Sequence, residues 1–314
     1  MDISLDIDAQ KCEDLWFEDG TIVLQAENTL FRVYSGILAR HSPFFKNLFT
    51  LPQPSDAEKY EGISLVQLAG DSAQDVHDFL LALHDVDYPQ SLLDDAFFLG
   101  ALLQLSAKYE VSSLRNRVVR ILDPLFPTTL LGYDNLMDKK RQPTALSIPF
   151  SSTSQLVVLA STLSKAAPSL LPFLLLRLLR VAAAQEDFAF VIDGVEGRGE
   201  KRIFLEPDVQ RALINGRFAL AKLAKVTVLP RIFEPSNCYE ECNRERIKYI
   251  AKHAKADGHL DPLARRTFKN FCPECRRALE EDAEVGRKKV WEQLPLVFGL
   301  PSWEDLTRLT VDGL

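Results

Sequence analysis

Four of the five cysteines stand in two close pairs late in the chain: Cys238 and Cys242, with three residues between them, and the run Cys272-Pro273-Glu274-Cys275. Zinc takes four thiolate or imidazole ligands in a tetrahedron, and two such pairs can supply all four from one chain. Pro273 suits a tight turn that aims both sulfurs of the second pair at one ion. Two other uses fit the same spacing. On helices the pairs fall at i, i+4 and i, i+3, so the four could be small buried hydrophobes, or they could work as redox pairs. His253 and His259 offer a rival completion of the first pair, a two-Cys, two-His DNA-binding finger. Ten residues separate Cys242 from His253, short of the roughly 12 that such a finger uses. The expected site is a structural zinc on Cys238, Cys242, Cys272 and Cys275, with core cysteines as the open alternative.

No constellation for catalysis accompanies them. The glycines of 194–199 have the spacing GxxGxG but no strand-to-helix context, so they are neither a dinucleotide fingerprint nor a phosphate loop. Nucleophile-elbow and HExxH patterns are absent from the sequence. Carboxylates such as Asp94-Asp95 suit a helix N-terminus, where negative charge is favoured. An enzyme is not expected, and neither catalytic nor cofactor-binding residues are assigned.

Charge narrows the partners. Residues 1–126 hold 9 Lys and Arg against 20 Asp and Glu, whereas 127–314 hold 28 against 24. An acidic first part repels nucleic acid. The stretch 244–289, with 13 basic and 8 acidic residues, alternates in sign as a solvated helix face does. Nucleic acid is therefore not an expected partner. Residues 1–30 lack the basic start and apolar run of a targeting signal. The most apolar stretch, 170–184, reads as too short to span a bilayer and contains Pro172, Arg177 and Arg180. An intracellular location, cytoplasmic or nuclear, with no membrane association, is the expectation. With 46% hydrophobic and 26% charged residues, the 314-residue chain can bury one large core or two ordinary ones.

The elements that must position these residues begin with a hairpin. Ile22 and Leu24 alternate with Val23 and Gln25, and Phe31 and Val33 with Arg32 and Tyr34, around Glu27-Asn28. Short helices follow at 35–40 and after Ser42-Pro43, a good cap and first-turn pair. A third strand is expected over 62–69, and helices over 72–85, 93–110 and 112–126. Beyond 127 the spacing predicts helices over 154–167, 168–184, 207–226 and 239–256, and in part over 267–293. The glycine run 194–199 reads as a mobile turn. The tail, with Trp291, Leu294, Phe298, Leu300, Trp303 and Leu306, is too apolar to hang free.

Several of these stretches resemble the BTB/POZ family, in particular its fungal group. They are 30–45, from Leu30-Phe31-Arg32-Val33 to Ser42-Pro43-Phe44-Phe45; 62–68 followed by Asp71-Ser72-Ala73-Gln74-Asp75-Val76; and 102–111, ending Ala107-Lys108-Tyr109-Glu110-Val111. The closing run from Trp291 to Trp303 is similar to the fungal group's C-terminal signature. The pattern departs at Tyr34-Ser35, where many members carry His and a basic residue near their pairing surface. The resemblance implies a non-enzymatic interaction domain, often homodimeric and in some members an adaptor for a cullin-type ubiquitin ligase. Its contacts would be drawn from Phe31, Val33, Ile37, Leu38, Phe44 and Phe45, several of which must also fill the domain's own core. The rival function is a zinc-stabilised DNA-binding transcriptional regulator. The expected fold is α+β: a BTB/POZ domain (small sheet with a helical cluster) over 12–126, a linker over 127–149 broken by Pro143, and a mainly α-helical region over 150–314.

Overall fold

The alternating residues 22–33 form the expected hairpin, with Ile22 opposite Val33 and Ala26 opposite Thr29. Around it, a computed structural model describes residues 9–51, 58–85, 90–138, 152–198, 201–227, 230–232, 238–254 and 262–312. The chain divides into two compact units, the second spanning Asp123–Asp312.

The first unit contains strands β1 (Gln10–Trp16), β2 (Ile22–Ala26), β3 (Thr29–Val33), β4 (Lys59–Tyr60) and β5 (Ile63–Gln67). Its helices are α1 (Ser35–His41), α2 (Pro43–Thr50), α3 (Ala73–His84), α4 (Gln90–Leu93), α5 (Ala96–Lys108) and α6 (Ser112–Leu122). The sheet runs β1-β3-β2-β5-β4. It is mixed, because β1 and β5 lie parallel to β3 and β2. Two strands escaped the sequence. β1 is an edge strand that buries only Leu15, so it lacks the apolar alternation that marks a half-buried strand. β4 is two residues long and turns into β5 through Glu61 (φ 48°) and Gly62 (φ 81°), two left-handed residues of the kind that a tight hairpin requires.

Ser42 caps α2, accepting from Phe45 N–H at 3.0 Å, and Ser72 caps α3, accepting from Asp75 N–H at 3.1 Å. Ser42 also donates to the carbonyl of Tyr109 at 2.5 Å. The stretch ending Lys108-Tyr109 has its own anchor: Lys108 Nζ lies 2.6 Å from the buried carboxylate of Asp71, and Tyr109 Oη donates to the same group. Burial, together with that bond, pushes the Tyr109 phenol well up. Phe98, Leu102, Leu105 and Tyr109 are all buried, as are Leu114, Val118 and Leu122, while Ile121 and Leu125 are half-buried.

The second unit is mainly helical: α7 (Leu130–Met137), α8 (Thr153–Ala166), α9 (Leu171–Gln185), α10 (Phe190–Asp193), a hairpin of β6 (Val195–Glu196) and β7 (Arg202–Ile203), then α11 (Pro207–Thr227), α12 (Glu240–Ala254), α13 (Pro273–Val297) and α14 (Trp303–Asp312). Its core is α9, where Phe173, Leu174, Leu175 and Leu178 are fully buried. Even its arginines point inward, Arg177 over the Phe126 ring and Arg180 over Tyr133, an arrangement in which aromatic faces help solvate the charge. Pro168–Gln185 is, by length and composition alone, long and apolar enough to cross a membrane. Most of it is buried inside the unit, as in the core helix of a globular domain.

Two expectations change here. The linker expected over 127–149 opens with α7, capped by Thr129, whose Tyr133 is buried against Phe173 and Trp291. Its remainder from 139 lies outside the described residues. The glycine run is not a free turn: Val195 pairs with Ile203, and Gly197 N–H donates to the Lys201 carbonyl at 2.9 Å. The tail docks as its composition anticipates. Trp303 stacks on Trp291 at 5.4 Å and donates its indole N–H to the Trp291 carbonyl.

Candidate functional site

Cys238 precedes α12 and Cys242 sits in its first turn; Cys272 is the N-cap of α13 and Cys275 lies in that helix's first turn. The four sulfurs all lie within 4.8 Å of one another, and Cys238 Sγ stands 3.4 Å from Cys272 Sγ. A tetrahedron with zinc–sulfur bonds of about 2.3 Å has sulfur–sulfur edges of about 3.8 Å, which those distances bracket. Four sulfurs would fill the coordination sphere, the pattern of a structural site and not of a catalytic one. The first cysteine pair meets the second pair. His259 lies outside the described residues, as does the side chain of His253.

Backbone N–H groups and an arginine stand against the sulfurs. Cys275 N–H donates to Cys272 Sγ at 3.4 Å, and Cys272 N–H donates to Cys242 Sγ at 3.3 Å. The first of these bonds, joined by the Cys238 thiol, brings the Cys272 sulfur down to about 7. Cys238, whose proton is shared with Cys272 and Cys275, is pushed up to about 12. The N-terminus of α13 adds a favourable dipole. Arg246, buried on α12, directs Nη2 to Cys275 Sγ at 3.9 Å.

The sequence reading missed the residues that support the cluster. Arg276, next to Cys275, gathers the carbonyls of Phe268 (3.2 Å), Lys269 (2.8 Å) and Phe271 (3.4 Å), and so shapes the loop that delivers Cys272. Adjacency to a cysteine pair was its only sequence signal. Arg246 gave none, since a buried cation in a polar helix looks like any solvated one. Other cations of 244–289 are paired within the unit, Arg244 with Glu241 and Lys248 with Glu245.

In the first unit, the six residues expected to make partner contacts divide. Phe31, Val33, Leu38 and Phe45 are fully buried. Their side chains serve the domain's own core. Ile37 is half-buried and Phe44 is exposed, and Leu51 beyond α2 is exposed as well. At the departure point Tyr34-Ser35, Tyr34 Oη donates to Asp19 at 2.7 Å and Ser35 N–H to Thr21 Oγ1 at 3.0 Å. Both residues serve the unit's own turn.

This mixed sheet with its helical cluster coincides with one family profile, that of the BTB/POZ domain, which matches residues 11–124. These residues are a BTB/POZ domain. Such domains are protein–protein interaction modules without catalysis of their own. The BTB domain is followed here by the mostly helical second unit. No curated protein and no solved structure matches the chain.

The second unit also carries a groove of about 520 Å³ beside Leu171, Val209, Phe298 and Leu306. Its titratable lining is Lys165, Glu206 and Asp208. Lys165 and Glu206 pair at 2.7 Å, and Asp208 pairs with Arg211. That is the polar rim of an apolar cleft, without the convergent acid and base that catalysis would need.

Proposed function

We propose that this protein works by holding other polypeptides together. The BTB domain pairs with a second copy or a related BTB domain, through the face carrying Ile37, Phe44 and Leu51, and the helical unit presents or recruits a further protein in the manner of an adaptor. The observation that carries this reading is the BTB domain itself. A side chain left outside the core supports the choice of face: Phe44 is 38% exposed, whereas its neighbour Phe45 on the same helix is fully buried. The four cysteines of the second unit bind one structural zinc, supported by sulfurs that already stand at coordinating distances.

Light scattering on the full chain at micromolar concentration, with metal analysis of the same sample, tests both parts. The expected result is twice the 35.4 kDa chain mass and one zinc per chain, with Phe44→Glu shifting the protein to monomer and leaving the zinc in place. A monomer that persists at about 100 μM would remove self-association, since specific interfaces hold at or below that range. Zinc-free protein purified without chelator would remove the metal.

A further inference from the structure

The two halves of the cysteine cluster are anchored very unequally. On the α13 side, the loop 262–272 is fixed without any metal. Leu263, Phe268 and Phe271 are buried, Arg287 Nε donates to the Leu263 carbonyl at 2.7 Å, and Arg276 ties three loop carbonyls to the start of α13. Cys272 and Cys275 are therefore presented as a ready half-site, with an N–H···S bond between them.

The α12 side has less support of this kind. Of its side chains described, only Cys242 and Arg246 are buried, and one of these is itself a cluster sulfur. Ile247, the helix's most apolar outward residue, is 67% exposed. Its other ties include polar and peripheral ones: Arg246 to the Arg231 carbonyl, Tyr249 against the Phe268 ring and under Arg266 Nη1 at 2.6 Å, and Asn270 to Glu245 at 3.3 Å. A helix is held in place by an apolar stripe against a core, and among the described side chains of this one only half-buried Tyr249 and Ile250 add apolar surface to buried Cys242. At 15 residues it is also at the length, roughly 12–15, where an isolated helix is marginal in water.

We infer that the metal is a clasp for α12: zinc bound across the ready Cys272–Cys275 half-site captures Cys238 and Cys242, and this capture docks and orders residues 238–254 on a unit that is folded without it. The inference rests on the zinc reading above and adds what the ion does. Metal binding is coupled to the ordering of whichever ligands are not preorganised, and here those lie on one helix. Loss of zinc would therefore release α12 alone, and with it the exposed face of Glu240, Arg244, Ile247 and Lys248, giving this protein a metal-dependent surface.

Hydrogen–deuterium exchange on the full zinc-loaded chain, before and after chelation, tests this. Exchange in peptides covering 240–254 should rise by about tenfold or more, as for a locally opened segment. Peptides of the BTB domain, α8, α9 and 273–297 should hold their protection, and re-added zinc should reverse the change. The double variant Cys238→Ser/Cys242→Ser, which leaves the α13 half-site intact, should exchange like the chelated protein. If zinc is present but chelation leaves α12 protected, or loosens α8, α9 and α13 along with it, the clasp is overturned and the metal reading stands. If the purified chain carries no zinc, both readings fall.

Discussion

Arg287 on α13 and Asp134 on α7 form an ion pair between residues 153 positions apart, with the guanidinium side chain only 1% exposed. Arg287 spends its remaining donors on the Leu263 carbonyl and on Glu284, each at 2.7 Å, while the second carboxylate oxygen of Asp134 takes Arg265 at 2.8 Å. A charge this deep is tolerable only when its hydrogen bonds are complete. The pair therefore ties the segment expected to be linker into the second unit.

Removing one partner should show that dependence. Asp134→Ala leaves the buried guanidinium without its main counterion and should cost the second unit about 3–5 kcal/mol. Urea unfolding followed by the fluorescence of Trp291 and Trp303, in a Trp16→Phe background, measures it. The double variant Asp134→Leu/Arg287→Met should recover a large part of the loss, because it leaves no orphaned charge. A single-variant cost below about 1 kcal/mol, the worth of an exposed pair, would contradict this account.

Gly216 lies inside α11, where a β-carbon would meet the buried ring of Phe298. Gly216→Ala gains about 1 kcal/mol in helix propensity. Against this, forcing apart a packed contact costs about 1–3 kcal/mol, so a net loss is expected. A thermal melt at higher temperature than the parent would mean that Phe298 yields freely.

Ser42 makes two bonds from a fully buried position, to Phe45 N–H and to the Tyr109 carbonyl. Losing the cap costs about 1 kcal/mol, and stranding a buried carbonyl adds about 1–3 kcal/mol. Ser42→Ala should destabilise the BTB domain by that sum, while Ser42→Thr keeps the hydroxyl and loses less. Chemical denaturation followed by exchange in peptides of α2 and α5 would locate the effect, and equal losses in the two variants would argue against it.

Two histidines of α3 should give the BTB domain opposite pH responses. His77 lies beside Asp78 (3.3 Å) and Asp14 (3.7 Å), and chiefly the Asp78 bond raises its pKa. Its stabilising charge is fully present below the unfolded value of about 6.5 and is lost as pH rises through the higher folded value. His84 is lowered by burial; its contribution is complete above about 6.5 and is lost as pH falls below that. The stability gap between parent and His77→Gln should therefore shrink from pH 5.5 to pH 8, and that for His84→Gln should grow. Parallel gaps across that range would remove both assignments.

Much of this protein is legible in its sequence because it is encoded locally. Helical stripes such as Leu114, Val118 and Leu122 mark an inward face, Ser42-Pro43 and Ser72 mark helix starts, and the alternation around Glu27-Asn28 marks a hairpin. Each signal lies within a few residues of what it describes. The four cysteines are also visible as two pairs, since ligand spacing within a pair is local.

Only the tertiary structure decided the rest, because those features depend on groups distant in sequence. β1 exists through hydrogen bonds to β3, which no alternation in Gln10–Trp16 announces. Core and surface side chains of α2 separate only when Tyr109, at the end of α5, packs on Phe45 and leaves Phe44 exposed. The pairing of Cys238 and Cys242 with Cys272 and Cys275, with Arg246 buried beside them, follows from how α12 and α13 come together, and the burial of Arg287 from how α7 meets α13. A charged residue looks the same in sequence whether water or a folded partner solvates it, and long-range packing alone makes that choice.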